Sequence, residues 1–136
     1  METEKTTIGT LLKARNTLWQ ISQEARLSPR TAYKVVKFCK KTEDEEEFYR
    51  TKLQEIVDKY AEKDGNGGNV QSENGGVRLR KECIGLARTA IKELDELEVD
   101  RPHLILALSE LDGVRITPAE MLAIEEFIRE ESENGD

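Results

Sequence analysis

The chain contains few of the residues that build binding pockets and active sites. Aromatic residues make up 5% of its 136 residues, with one tryptophan, one histidine and two cysteines. No apolar run approaches the ~20 residues that cross a membrane as a helix. The first residues also lack the apolar core of a secretory signal. The composition therefore predicts a cytoplasmic protein without membrane contacts.

Catalytic and metal sites lack their usual side chains. His103 is the only histidine, and both Cys39 and Cys83 fall in apolar helical patterns, where burial disfavours the reactive thiolate. Neither a cysteine–histidine nucleophile nor a di-metal carboxylate–histidine site can be assembled from this set. The chain also contains no glycine-rich phosphate loop and no nucleophile elbow. We therefore expect no enzyme activity, no cofactor and no bound metal.

Charge is distributed unevenly along the chain. There are 28 acidic and 21 basic residues, which gives a net charge of -7. Residues 1–41 contain nine basic and three acidic side chains, a net +6, so the remaining residues carry -13. Such asymmetry indicates either a nucleic-acid contact at the basic end or an electrostatic contact within one fold. The length fits a single domain over residues 1–136.

The first half of the chain predicts two helices. Apolar residues recur at helical spacing over residues 8–26. Ser28 and Pro29 then favour a new helix start, because serine accepts a bond from the first turn and proline loses none there. No glycine or proline interrupts residues 30–63, so one helix over residues 29–62 would be about 50 Å long. It must protrude, pair with a partner, or bend near the acidic run at residues 43–47.

The second half begins with a glycine-rich and asparagine-rich stretch at residues 64–76. This stretch is either a flexible linker or a β-hairpin that pairs residues 69–71 with residues 77–79. The pattern beyond it predicts a helix at about 80–97, a strand at about 103–108, a helix capped by Thr117, and a disordered tail at 131–136. The expected fold is mainly α (α+β), a helical bundle with one long helix and a small β-hairpin or strand element.

Residues 21–41 resemble the helix-turn-helix pattern of bacterial DNA-binding regulators. In that interpretation the residues that face the major groove are Arg30, Thr31, Tyr33 and Lys34, and the residues that contact phosphates are Lys37, Lys40 and Lys41. Two features oppose it: Arg26 stands where a turn glycine is expected, and the acidic run that follows repels phosphate. DNA binding is therefore the alternative hypothesis.

The acidic run and the helical stripe beyond it form the leading candidate for a contact surface. Closely spaced carboxylates can occupy a groove built for nucleic-acid phosphates, because both present negative charge every few ångströms. The alternative is an ordinary solvated helix face. The residues of this candidate protein-binding surface are Asp44, Glu45, Glu46, Glu47, Tyr49, Leu53 and Tyr60.

Several segments together resemble a family of small proteins from tailed phages and prophages of Gram-positive bacteria, whose function is unassigned. They include TTIG at residues 6–9, IVDKYAEKDG at residues 56–65 and ITPAEML at residues 116–122. The resemblance implies a phage context and action through contacts, in the cytoplasm of the bacterial host. We therefore expect a non-enzymatic accessory protein that binds a host or phage protein. An anti-CRISPR-like inhibitor of a host defence or nucleic-acid-handling protein is the favoured role. Homodimerisation through the long helix is a further alternative.

Overall fold

A threonine ends the first strand and begins the first helix. In this computed structural model, which describes residues 4–73 and 75–129, β1 spans Lys5–Thr7 and α1 spans Ile8–Ser22. The Thr7 hydroxyl accepts a hydrogen bond from the Thr10 N–H at 3.2 Å, which satisfies a free donor of the first turn. The predicted tail at residues 131–136 lies outside the described residues.

Residues 29–62 do not form one unbroken helix, because the segment divides into two helices that meet at Thr42. Helix α2 spans Pro29–Lys41 and α3 spans Glu43–Tyr60. The Thr42 side chain is buried and donates to the Phe38 carbonyl at 3.1 Å, so it competes with the regular helical hydrogen bonds. Of the three outcomes expected for this segment, the structure shows the bend.

The acidic run forms the start of α3. Its first turn contains Glu43, Asp44, Glu45 and Glu46. Negative side chains are favourable there, because unpaired N–H groups give the beginning of a helix a partial positive charge. The run therefore stabilises a new helix start beyond Thr42.

The rest of the chain is built from shorter elements. Within the described residues, three 3₁₀ turns cover Lys81–Cys83, Leu108–Leu111 and Glu125–Phe127. The remaining helices are α4 (Ile84–Asp95) and α5 (Pro118–Ile124), and the remaining strands are β2 (Glu98–Asp100), β3 (Leu106–Ala107) and β4 (Ile128–Arg129). The expected strand at about 103–108 is thus shorter than its alternating pattern indicates, because the chain turns into a 3₁₀ conformation at Leu108.

Two small sheets tie distant parts of the chain together. Strand β1 pairs antiparallel with β2, with Thr6 opposite Val99, and β3 pairs parallel with β4. The Ile8 N–H donates to the Leu97 carbonyl at 2.8 Å, which holds the beginning of α1 against the end of α4. The expected fold class, mainly α with a small β element, is confirmed.

The glycine-rich stretch joins three short extended segments between residues 61 and 79. Isolated pairs join Ala61 to Leu79, Lys63 to Asn69, and Gln71 to Val77. The pair of Gln71 with Val77 belongs to the predicted β-hairpin. The other two pairs add a third extended segment at residues 61–63. Asn-Gly-Gly occurs twice, eight residues apart, and Gly67 and Gly75 both have φ of +83°. This repeat is the sequence signal for these joined segments, because glycine adopts positive φ at little cost.

The main core lies between α1, α2 and α5. Phe38 of α2 and Phe127 meet edge to face with their ring centres 5.0 Å apart, an arrangement that aromatic pairs favour. Leu18, Val35, Leu106 and Ile124 are almost completely buried around them. Helix α3 contributes nothing to this cluster, so it lies outside the main core.

Candidate protein-interaction surface

Helix α3 packs on α4 in an antiparallel pair. The Tyr49 hydroxyl donates to Asp95 at 2.5 Å, near the end of α4, and the Arg80 N–H donates to the Tyr60 carbonyl at 2.9 Å, near its start. Burial, followed by the bond to Asp95, raises the pKa of Tyr49 to about 12. In α3, all of which the structure describes, no residue is fully buried, whereas every other α-helix has buried residues.

An open apolar groove follows the line between α3 and α4. It encloses about 430 Å³ and leaves Phe48 45% exposed and Leu97 43% exposed. Its apolar lining is completed by Ile56, Ala90 and Leu94, and its charged rim consists of Lys52, Glu55, Lys59 and Glu93. We refer to these residues as the α3–α4 groove.

The groove continues past Phe48 and Leu97 into a second cavity of about 350 Å³ at the beginning of α3. Its other lining residues are Ile8, Asp44, Glu45, Glu98 and Val99. The Glu45 Oε2 atom is buried and has no hydrogen-bond partner among the residues that the structure describes. An unpaired buried carboxylate oxygen is costly. Because Asp44, Glu45 and Glu98 line this end of the groove, its negative charge favours a positively charged group from outside the chain.

The structure divides the predicted acidic surface. Asp44 and Glu47 are exposed, and Glu45 faces the groove. Glu46 binds residues of its own chain, because one of its carboxylate oxygens lies 3.0 Å from Arg15 and the other contacts Arg50. The predicted stripe of Tyr49, Leu53 and Tyr60 is partly buried. Of the predicted residues, Asp44 and Glu45 line the groove.

Arg15 is a structural residue that the sequence analysis missed. Its guanidinium donates to Thr42 Oγ1 at 3.0 Å and to the Cys39 carbonyl at 3.3 and 3.4 Å, while a further nitrogen pairs with Glu46. The cation therefore binds the end of α2 and the beginning of α3 together. Burial raises the pKa of the Cys39 thiol, and Arg15 offsets part of that effect. An available signal was the position of Arg15 at helical spacing from Leu11 and Leu18.

Two residues of the predicted DNA-binding set are held by a carboxylate of the same chain. Thr31 is buried and its hydroxyl donates to Glu110 at 2.7 Å, and Lys34 Nζ lies 3.0 Å from the same side chain. Burial alone raises the pKa of Glu110. Hydrogen bonds from the Ala107 N–H, Thr31 and Lys34 outweigh that effect, so the pKa lies below its ordinary value.

The remaining members of that set lie on the exposed side of α2. The exposed residues are Arg30, Tyr33, Lys37, Lys40 and Lys41. Six residues separate α1 from α2, whereas a helix-turn-helix uses a turn of three or four. The loss of Thr31 and Lys34 and this longer connection weaken the DNA-binding alternative, which stays a prediction.

Residues 4–73 and 75–129 contain neither a membrane-spanning helix nor a cluster of metal ligands. Within those ranges no helix combines the length and the apolar character needed to cross a membrane. The same ranges contain no group of three or more histidine, cysteine, aspartate or glutamate residues able to hold a metal ion. Cys39 and Cys83 are buried free thiols.

No family model, curated protein or solved structure matches the chain. The resemblance to a phage protein family therefore stays a prediction.

Proposed function

We propose that this chain is a binding protein without catalytic activity, which acts through contact between the α3–α4 groove and a host or phage protein. The observation that carries the proposal is the open groove itself, in which Phe48 and Leu97 remain nearly half exposed between two packed helices. A contiguous apolar patch with a charged rim is typical of a protein-interaction site.

The lining of the groove sets the chemistry of its partner. Phe48 and Ile56 favour apolar side chains of the partner at the centre of the groove. Aromatic and aliphatic side chains at the centre of an interface contribute most of the binding energy. The acidic end, with Asp44, Glu45 and Glu98, calls for lysine or arginine. An amphipathic segment with a basic end meets both requirements.

The biological role that we propose follows the phage resemblance. In the cytoplasm of a bacterial host, a chain of this kind would act as an accessory protein that inhibits a host defence or nucleic-acid-handling protein by occupying one of its surfaces. The support for this role is the sequence resemblance together with the exposed negative charge of Asp44 and Glu47 beside the groove. Its test is the identity of the captured partner.

The proposal predicts that Phe48→Asp strongly weakens capture of the partner. A tagged chain is incubated with a bacterial host lysate that also contains an untagged copy of the chain, and retained proteins are identified by mass spectrometry. We expect Phe48→Asp to lower retention of a specific protein by at least about tenfold, because the new carboxylate must be buried in an apolar contact.

The matched control is Leu122→Asp. Leu122 lies on α5 and is 67% exposed, so the same apolar-to-acidic change is made away from the groove. It should retain the partner at the level of the original chain. Retention of every protein at equal levels by both variants, or retention of no specific protein by the original chain, would contradict the proposal.

A further inference from the structure

The charge of the α3–α4 groove changes along α3. At the start of the helix Glu45 lines an acidic cavity, and in the middle Phe48 and Ile56 line the apolar part. The rim of the apolar part is mixed in charge, and its last charged residue along α3 is Lys59. A helical partner must therefore be basic where it meets the beginning of α3, apolar in the middle, and acidic where it meets the end. A helix with the charge polarity of α3, placed antiparallel, satisfies this pattern.

We propose that the occupant of the groove is a second copy of this chain, with the two α3 helices antiparallel about a twofold axis at Lys52. This inference rests on the proposed function, because it names the protein that the groove contacts. In this arrangement Glu45 of each copy faces Lys59 of the other, and Phe48 of each faces Ile56 of the other.

The spacing of the groove residues supports a twofold contact. Glu45, Phe48, Lys52, Ile56 and Lys59 lie on one face of α3, separated by three, four, four and three residues. This spacing is symmetric about Lys52, so reversing the helix places acidic on basic and apolar on apolar. A twofold interface requires such a self-complementary patch.

Lys52 can lie on the proposed twofold axis although its side chain is charged. Two copies of Lys52 approach each other there, but Lys52 Nζ lies 3.3 Å from Glu55 of its own helix. Each ammonium group therefore has a carboxylate beside it, which reduces the repulsion between the two lysines.

Helix α4 widens the contact on one side. Ala90, Glu93 and Leu97 line the groove, and Leu86, four residues before Ala90, is 58% exposed on the same side of the helix. Each copy thus contributes an antiparallel helix pair. Two such pairs packed together form a four-helix arrangement that buries apolar side chains, as in helix bundles. The segment of α3 from Glu45 to Lys59 is about 21 Å long, or four helical turns.

The proposal is tested by reversing charges at the predicted contact and measuring molar mass by sedimentation equilibrium over a range of concentrations. The original chain should dimerise. Glu45→Lys and Lys59→Glu should each weaken dimerisation about tenfold, because each places like charges together twice per dimer. The double variant restores opposite charges and should return the dissociation constant to within about threefold of the original.

Lys40→Glu is the matched control, since it makes the same charge change as Lys59→Glu on the exposed side of α2. It should leave dimerisation unchanged. Circular dichroism verifies that each variant is folded, and Ile56→Lys supplies a second disruption in the centre of the groove that should also yield monomers.

Three outcomes would overturn the second-copy proposal. They are an original chain that stays monomeric at every concentration, a double variant no tighter than the single ones, and a dimer that none of these changes affects. A monomer that still captures a foreign protein through Phe48 would overturn this inference and leave the proposed function standing. Loss of both self-association and capture would overturn both.

Discussion

Arg15→Met is expected to lower the free energy of unfolding by about 3 kcal/mol. Arg15 is 16% exposed and donates to Thr42 and to the Cys39 carbonyl while it pairs with Glu46. Methionine keeps much of the apolar volume but none of the donors, so partly buried acceptors at the junction of α2 and α3 lose their partner. Urea denaturation monitored by circular dichroism measures the change, provided that the slope with denaturant stays constant.

Arg50 provides a matched control, because it pairs with the same Glu46 carboxylate as Arg15. Arg50 also pairs with Glu46, but its side chain is 72% exposed. Arg50→Met should therefore cost less than about 0.5 kcal/mol, because water screens an exposed ion pair and two long side chains lose freedom in forming it. Equal losses for Arg15→Met and Arg50→Met would show that Arg15 does not hold the bend between α2 and α3.

Glu110→Gln is expected to cost about 2 kcal/mol near neutral pH and to make the protein less sensitive to acid. The native pKa of Glu110 is lowered, so this carboxylate stabilises the fold fully above the ordinary glutamate value of 4.5 and loses that effect as the pH falls through the native pKa. Glutamine does not titrate. The stability difference between the two proteins should therefore shrink as the pH falls from about 6 to about 3.

Glu125→Gln is the control for the acid titration, because Glu125 is exposed in the 3₁₀ turn that follows α5. It should leave both the stability and its pH dependence nearly unchanged. A stability difference that stays constant with pH would mean that the bonds from Thr31 and Lys34 do not act on an ionised Glu110.

Helix starts were predicted from the sequence because their signals are local. The Ser28 hydroxyl accepts from the Thr31 N–H at 3.2 Å, and Thr117 and Glu120 exchange bonds at 2.9 and 3.1 Å, as their spacing indicates. Such contacts involve residues three apart and need nothing from the rest of the fold. The helix starts at Pro29 and Pro118 follow directly.

The sequence offers a bend near residues 43–47 as one of three outcomes, but it does not select the bend or place it at Thr42. Residues 30–63 contain no glycine or proline, and the local pattern favours an unbroken helix. We expect the interruption to depend also on Arg15, which lies 27 residues before Thr42 and donates to its hydroxyl where α1 packs on α2. A contact across the fold overrides local helix preference here.

The groove was predicted only in part for a related reason. Helix α3 carries apolar residues on more than one side, and the sequence stripe of Tyr49, Leu53 and Tyr60 is partly buried. Phe48 was not selected, although it is one of the most exposed apolar residues of the helix pair. The packing of α4 decides which side of α3 stays open, and the sequence of α3 alone does not contain that information.

The most direct test of the account is cross-linking at the predicted twofold axis. Cys39 and Cys83 are buried, so Lys52→Cys introduces an exposed thiol that a short bifunctional maleimide can link to its counterpart in a second copy. Lys40→Cys places a comparable exposed thiol on α2. We predict a covalent dimer in high yield for Lys52→Cys and a much lower yield for Lys40→Cys. Equal yields from the two variants would contradict the assignment of the α3–α4 groove as the contact between two copies.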